Sequence, residues 1–297
     1  MRFGIQLPVQ AQSRLMAADW EADAGPAELR RVAQACDTGG FDYVGVCDHI
    51  GVPRSQVDRM QTTWYDTVST LSWLAGLTET VRLLSHVYVV PYRHPLATAK
   101  AFSTLDALSN GRALLGVGAG HVVDEFEALD IPFRKRGQVM DNYLPRIRAA
   151  FEEEWAEADL GQRPRPVQPG GPPIWVGGSS EAALKRAARL GDGWLPQGPP
   201  EGGMSRALEV LAEHRPDGSL DGFVIGGGLS CYLGQPGFEI PSWTVHGSSE
   251  RIIDAVGQLA DQGVTHAQVR IPSLSCDDLV EQISRFAHDV VAATADD

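Results

Sequence analysis

Residues 95–120 read PLATAKAFSTLDALSNGRALLGVGAG, and their order sets the fold class. Pro95 suits a first helical turn, and Phe102, Leu105 and Leu108 then recur at helical spacing. Asn110-Gly111 stops the segment where a backbone can turn left-handed. Ala113–Val117 is a short apolar run that reads as a buried strand, and it empties into the glycines of Gly116-Val117-Gly118-Ala119-Gly120. Helix, tight turn, buried strand and glycine-rich loop together form the repeating element of a parallel α/β protein.

The same rhythm extends in both directions. Strands are expected at Phe3–Leu7, Tyr43–Cys47, Leu83–Val90, Ala113–Val117, Ile174–Gly177, Gly193–Pro196, Phe223–Leu233 and Ala267–Ile271. Eight parallel strands alternating with helices define a closed (β/α)8 TIM barrel of the α/β class. The flanking helices carry matching punctuation. Pro26 opens one whose stripe is Leu29, Val32, Ala33 and Cys36, ended by Gly39-Gly40; Ser275 opens the last, with Leu279, Ile283, Phe286 and Val290 on one side. Residues 121–172, after the fourth strand, break the alternation with a helix near Val139–Glu154 and a Pro/Gly-rich tail, and read as an insertion in one domain spanning 1–297. A domain boundary at Pro164–Pro173 is the competing reading, but the rhythm resumes at Ile174.

Composition narrows the function classes. A net charge of −13 opposes unassisted binding to nucleic acid or to an anionic membrane, since both are met by a basic face. No stretch approaches the ~20 apolar residues of a membrane span. The start Met1-Arg2-Phe3-Gly4 reads as a strand rather than a secretion signal, and the cysteines Cys36, Cys47, Cys231 and Cys276 form no CxxC pair, so a cytoplasmic location is expected. The eight histidines include no HxH or HExxH pair, so no metal site is expected, and Gly-x-Ser-x-Gly is absent.

Several segments, in this order and spacing, resemble the luciferase-like monooxygenase superfamily, and especially its branch that uses the deazaflavin coenzyme F420. They are Asp48-His49, Pro91-Tyr92-Arg93-His94-Pro95, Leu108-Ser109-Asn110-Gly111-Arg112, Leu115–Gly120, Glu125–Leu129, Pro173–Gly178, Gly191–Trp194 and Gly263–His266. The resemblance covers nearly the whole chain. It implies an oxidoreductase binding F420, with FMN as the alternative cofactor, a small-molecule substrate and a homodimer packed through barrel helices.

Active sites of parallel barrels sit at the C-terminal ends of the strands, so the residues just after each strand are the candidates. Asp48 and His49 follow the second; the resemblance makes Asp48 a cofactor contact and His49 a proton donor, whereas the residues alone also allow Asp48 to cap a turn. His86-Val87 matches a pair that is often a cis peptide bulged against the cofactor ring in the family, where Gly or Ser is usual in place of His86. An ordinary barrel-interior histidine bonded to a neighbouring strand is the other reading. After the fourth strand, Ala119, Gly120 and Asp124 are implied cofactor contacts, and His121 stands where a Rossmann fingerprint would need glycine. Gly177, Gly178, Ser179 and Ser180 run from a strand into a helix start, whose amides suit a cofactor phosphate; Ser180 serves equally as a plain cap with Glu181 pairing to Lys185.

The family's sugar-phosphate dehydrogenases carry carboxylates where this chain has Gln10 and His121, which disfavours that substrate. His49 and His121 are therefore the candidate catalytic residues, for reduction or oxygenation by a reduced cofactor. Trp20, Trp64, Tyr65, Tyr92 and Trp243 are candidate walls for a planar or apolar substrate. A cofactor-binding barrel without catalysis and a metal-dependent hydrolase are the readings from other classes.

Overall fold

The structure, a computed structural model, describes residues 1–8, 17–157 and 159–294. Its strands are β1 (Arg2–Gln6), β2 (Tyr43–Val46), β3 (Arg82–Ser85), β4 (Tyr88–Val89), β5 (Ala113–Gly118), β6 (Ile174–Gly177), β7 (Gly193–Leu195), β8 (Val224–Leu233), β9 (Val245–Gly247) and β10 (His266–Arg270). Its helices are α1 (Pro26–Thr38), α2 (Thr67–Ala75), α3 (Pro95–Leu108), α4 (Val123–Ala128), α5 (Arg136–Glu152), α6 (Glu181–Leu190), α7 (Gly203–His214), α8 (Ser249–Asp261) and α9 (Cys276–Phe286).

Eight parallel staves close on themselves in the order β10-β1-β2-β3-β5-β6-β7-β8, with β10 pairing back onto β8. Gly4 faces both Gln268 and Tyr43 in register, and His266 faces Gly226 at the closing seam. The barrel and all eight expected staves are thus present. The third is broken: β4 resumes after His86-Val87 and pairs with β5. β9 is an addition to the expected strands, pairing with the far end of β8 outside the barrel.

The helices bury the anticipated faces. Leu29, Val32, Ala33 and Cys36 of α1 are buried, as are Leu279, Ile283 and Phe286 of α9 and Val290 beyond it. Ser275 caps α9 by accepting from the Asp278 amide. Leu108 departs from its stripe. Phe102 and Leu105 are fully buried, but Leu108 ends α3 at 66% exposure, because the buried stripe continues through Asp106 to Ser109 and leaves Leu108 on the outer face. Asn110 then adopts a φ of 55°. Within 121–172, α5 packs beside both α3 and α6, taking the place of the outer helix of its unit. The inserted material is therefore α4 and the segment after Glu152.

Inside the barrel, Tyr43, Leu84, Leu114, Trp175 and Leu195 form their own apolar cluster, with Tyr43 and Trp175 edge-to-face at 5.6 Å. Tyr43, Leu114 and Trp175 occupy the first two positions of their strands, whereas the last positions hold Gln6, Gly118 and Gly177. The N-terminal end is thereby closed by large side chains. At the C-terminal end Gly118 and Gly177 leave space, and the cavity beside Gln6 and Gln268 lies there.

Candidate active site at the barrel mouth

Asp48 follows β2 and is almost wholly buried. Its carboxylate accepts two hydrogen bonds from the Arg93 guanidinium (2.7 and 2.9 Å), one from the Val89 amide (2.8 Å) and one from the Thr67 hydroxyl (3.2 Å). A bidentate pair of this kind is strong and directional. Asp48 caps no helix, since Asp66 caps α2. It instead ties the end of β2 to β4 and to the entry of α3.

His49 presents its ring beside Trp64, with centroids 4.4 Å apart, and its Nδ1 lies 3.2 Å from Oε2 of Glu125. Glu125, on α4, was not expected as a site residue. Its Oε1 accepts from the Ile50 amide (2.6 Å) and the Gly51 amide (3.2 Å), and its Oε2 also accepts from the Tyr92 hydroxyl (2.9 Å). Burial alone raises the Glu125 carboxyl, but the hydrogen bond and charge of His49, with the Gly51 amide and the Tyr92 hydroxyl, outweigh it and hold the group below its ordinary value. An ionised carboxylate only accepts, so Nδ1 of His49 carries the proton and Nε2 is left for exchange. Burial, and then Glu125, raises the Tyr92 phenol, which stays a donor. The sequence offered one clue to this corner: Tyr92, Arg93 and Glu125 all fall inside the segments that carried the family resemblance.

His121 follows β5 with its ring 6.0 Å from that of His49. Desolvation by the surrounding protein, then the neighbouring His49, lower its pKa, and Glu125 opposes them. In the same loop the Gly120 carbonyl accepts from Arg136 at 3.1 Å. Ala119 is half-buried against the core, and Asp124 is exposed in the first turn of α4. Gln10 lies outside the described residues.

The His86-Val87 peptide is cis. Val87 lies over the ends of β5 and β6, where a Cβ on Gly118 or Gly177 would come within 2.6 or 2.8 Å of its methyl groups. Those two glycines are what admit it. His86 is not bonded to a neighbouring strand through its ring: Nε2 is buried and makes no hydrogen bond among the described residues. Burial holds its pKa down to about 4.

At the start of α6, Ser180 is the cap, accepting from the Ala183 amide at 3.3 Å, and Glu181 pairs with Lys185. Ser179 turns away from the helix: its hydroxyl donates to the Gly198 carbonyl (2.8 Å) and accepts from the Gln197 amide (2.9 Å). The Gly178 amide donates to Leu195. The amides of Ser179, Ser180, Glu181 and Ala182 remain without partners among the described residues, as at any helix start, and point their positive end outward. On the opposite side, a cavity of about 370 Å³ lies over the ends of β1 and β10, between Gln6, Gln268, Arg270, Trp20 and Phe238. Of the five aromatic candidates, Trp20 lines this cavity, Trp64 flanks His49 and Tyr92 holds Glu125, while Tyr65 packs on the core and Trp243 is largely exposed. Among the described residues no His/Cys/Asp/Glu group could hold a metal ion, and no helix is long and apolar enough to cross a membrane.

A closed parallel barrel with a histidine, a bulge and a glycine-lined rim at its C-terminal mouth is an enzyme scaffold of the TIM class. The luciferase-like monooxygenase family profile matches residues 1–235, and the chain belongs to that family. It is 26% identical over 289 residues to an uncharacterised protein of Mycobacterium tuberculosis, covering 88% of this chain and 93% of that one. It is 32% identical over 185 residues to the F420-dependent glucose-6-phosphate dehydrogenase of Nakamurella multipartita, covering 58% of this chain and 52% of that one. The crystal structure of a riboflavin lyase with modified FMN and riboflavin superposes with a TM-score of 0.80 at 14% identity, over 100% of this chain and 91% of the other, which is a likeness of fold.

Proposed function

We propose that the protein is an F420-dependent oxidoreductase that moves a hydride between the deazaflavin and a small organic substrate, with His49 relaying the accompanying proton. The observation that carries the reading is the pairing of His49 with buried Glu125 at the end of β2, which orients one imidazole and leaves its Nε2 for exchange. The donor set suits such a cofactor. Val87 packed on Gly118 and Gly177 offers an apolar surface to a flat ring, Ala119, Gly120 and Asp124 in the loop after β5 are the contacts the family resemblance implies, and the Ser179–Ala182 amides suit its phosphate. When bound, the deazaflavin supplies the two-electron hydride chemistry that no side chain provides. Asp48 contributes by holding the strand after the bulge, through the Val89 amide. His121, 6.0 Å from His49, is the second candidate for proton exchange.

FMN is the second reading, favoured by the fold likeness to the riboflavin lyase. Titration of the purified protein with F420 and with FMN, followed by fluorescence quenching, separates the two. Saturable tight binding of F420 is the expected outcome, and tight binding of neither removes the assignment. The same reading takes the protein to be a cytoplasmic homodimer packed through outer helices; a sedimentation coefficient of a monomer at all concentrations overturns that part.

A further inference from the structure

The cavity over the ends of β1 and β10 combines a polar floor, aromatic walls and an acidic rim. Gln268 and Arg270 stand two apart on β10 and so share one face of that strand, beside Gln6 at the end of β1. Gln6 is fixed at both ends of its amide. Its Nε2 donates to the Cys47 sulfur at 2.5 Å, and its Oε1 accepts from Nε2 of Gln268 at 3.2 Å. That bond uses one N–H of Gln268; the other N–H and the carbonyl have no partner among the described residues. Two aromatic walls are held in place from behind. Trp20 donates from Nε1 to the Ser273 hydroxyl at 3.1 Å, and Phe238 stands edge-on to Tyr232 at 5.6 Å. The charges are unequal: Asp19, Glu21 and Glu239 face Arg270, the one cation of the described lining. Desolvation by the surrounding protein lowers the Arg270 pKa and the Glu21 carboxylate opposes it, so these two charges already act on each other. Asp19 and Glu239 are exposed and have no cation to match them in the described lining.

We propose that this cavity is the substrate subsite and that it selects an uncharged, largely apolar molecule whose carbonyl or hydroxyl end is held by Gln268, against phosphorylated or otherwise anionic compounds. Its role as a substrate subsite rests on the oxidoreductase reading above. A volume of about 370 Å³ falls within the ~300–1,000 Å³ usual for small-molecule pockets. A phosphate entering it would pass the carboxylates of Asp19 and Glu239 and give up its hydration to a lining with more negative than positive charge. A carbonyl or hydroxyl instead exchanges water for the Gln268 amide at little cost. The rest of such a molecule buries apolar surface against Trp20 and Phe238.

The test is isothermal titration calorimetry with 2-naphthol, 2-acetylnaphthalene and 2-naphthyl phosphate, which share one ring system, on the protein alone and on the protein saturated with F420 or FMN. Both uncharged probes should bind about tenfold or more tightly than the phosphate in either condition. Gln268→Leu should weaken them about tenfold and leave the cofactor titration unchanged. The double variant Asp19→Asn with Glu239→Gln alters exposed positions only, and should narrow the gap between naphthol and its phosphate about threefold by strengthening the phosphate. Phosphate binding as tightly as naphthol, binding of neither uncharged probe, or unchanged affinities in both variants overturns the inference and leaves the cofactor reading standing. Loss of the probes on saturation with cofactor assigns the cavity to the cofactor and overturns it as well. Wild type that binds neither F420 nor FMN removes the cofactor reading, and with it the substrate role, whatever the probes show.

Discussion

Two corners of the barrel mouth differ in how their polar groups are met. At the end of β2, the Asp48 carboxylate receives four hydrogen bonds and Glu125 receives four. At the β3 bulge the buried His86 nitrogen has no partner among the described residues, and at the start of α6 the Ser179–Ala182 amides have none but lie on half-buried to exposed residues open to water. The first corner is held by its own hydrogen bonds, whereas the second leaves donors without protein partners. A folded chain tolerates unmet polar groups in a dry site only where they are few and where other interactions fix the surroundings.

The contrast breaks most severely if the satisfied corner loses a charge. Arg93→Ala leaves the Asp48 carboxylate buried without its cation, and urea denaturation should show a loss of about 3–5 kcal/mol. A loss within experimental error removes the claim that this pair holds the corner. The unsatisfied corner should respond in the opposite sense. His86 ionises near 4 in the folded state against an ordinary 6.5, so the unfolded chain takes up the proton first as the pH falls. Wild type should lose stability relative to His86→Leu between about pH 6.5 and 4, by up to about 3 kcal/mol. His266, lowered by burial in the same way, is common to both proteins and cancels. Parallel stability curves across that window would place the nitrogen in contact with water.

The relay assignment predicts the next effect in size. His49→Ala should lower kcat about 100-fold with whichever substrate is turned over, the usual scale for a lost general acid or base. Glu125→Gln, which keeps the shape but not the charge, should shift the pH profile of kcat; an unchanged profile in Glu125→Gln separates the two residues. The smallest effect is a satisfied contact inside the open corner. Ser180→Ala removes the α6 cap and should cost about 1 kcal/mol, read as a small fall in Tm, with the affinity for cofactor little changed because the amides remain.

Periodicity and punctuation are local properties, and they showed the barrel before any coordinates. Alternation of short apolar runs with striped helices exposed all eight staves, because each strand buries one or both faces and each helix one stripe. Pro26, Gly39, Ser180 and Ser275 marked element ends for the same reason: caps and breakers act within a few residues of themselves. β9, three residues of intermediate burial, carried no such signal. That Ser180 caps α6 became visible only when the Ala183 amide was seen to reach its hydroxyl, a role that leaves its own amide for an anion.

Through its order of residues, the chain by itself determined the barrel, the placement of Asp48, His49 and His86-Val87 at strand ends, and membership of a family that its motifs already suggested. Tertiary structure alone decided that Glu125, 76 positions from His49, is its partner, and that Asp48 spends its charge on Arg93, 45 positions away. Hydrogen bonds across such separations depend on how eight strands are sheared around one axis, and no window of sequence contains that geometry.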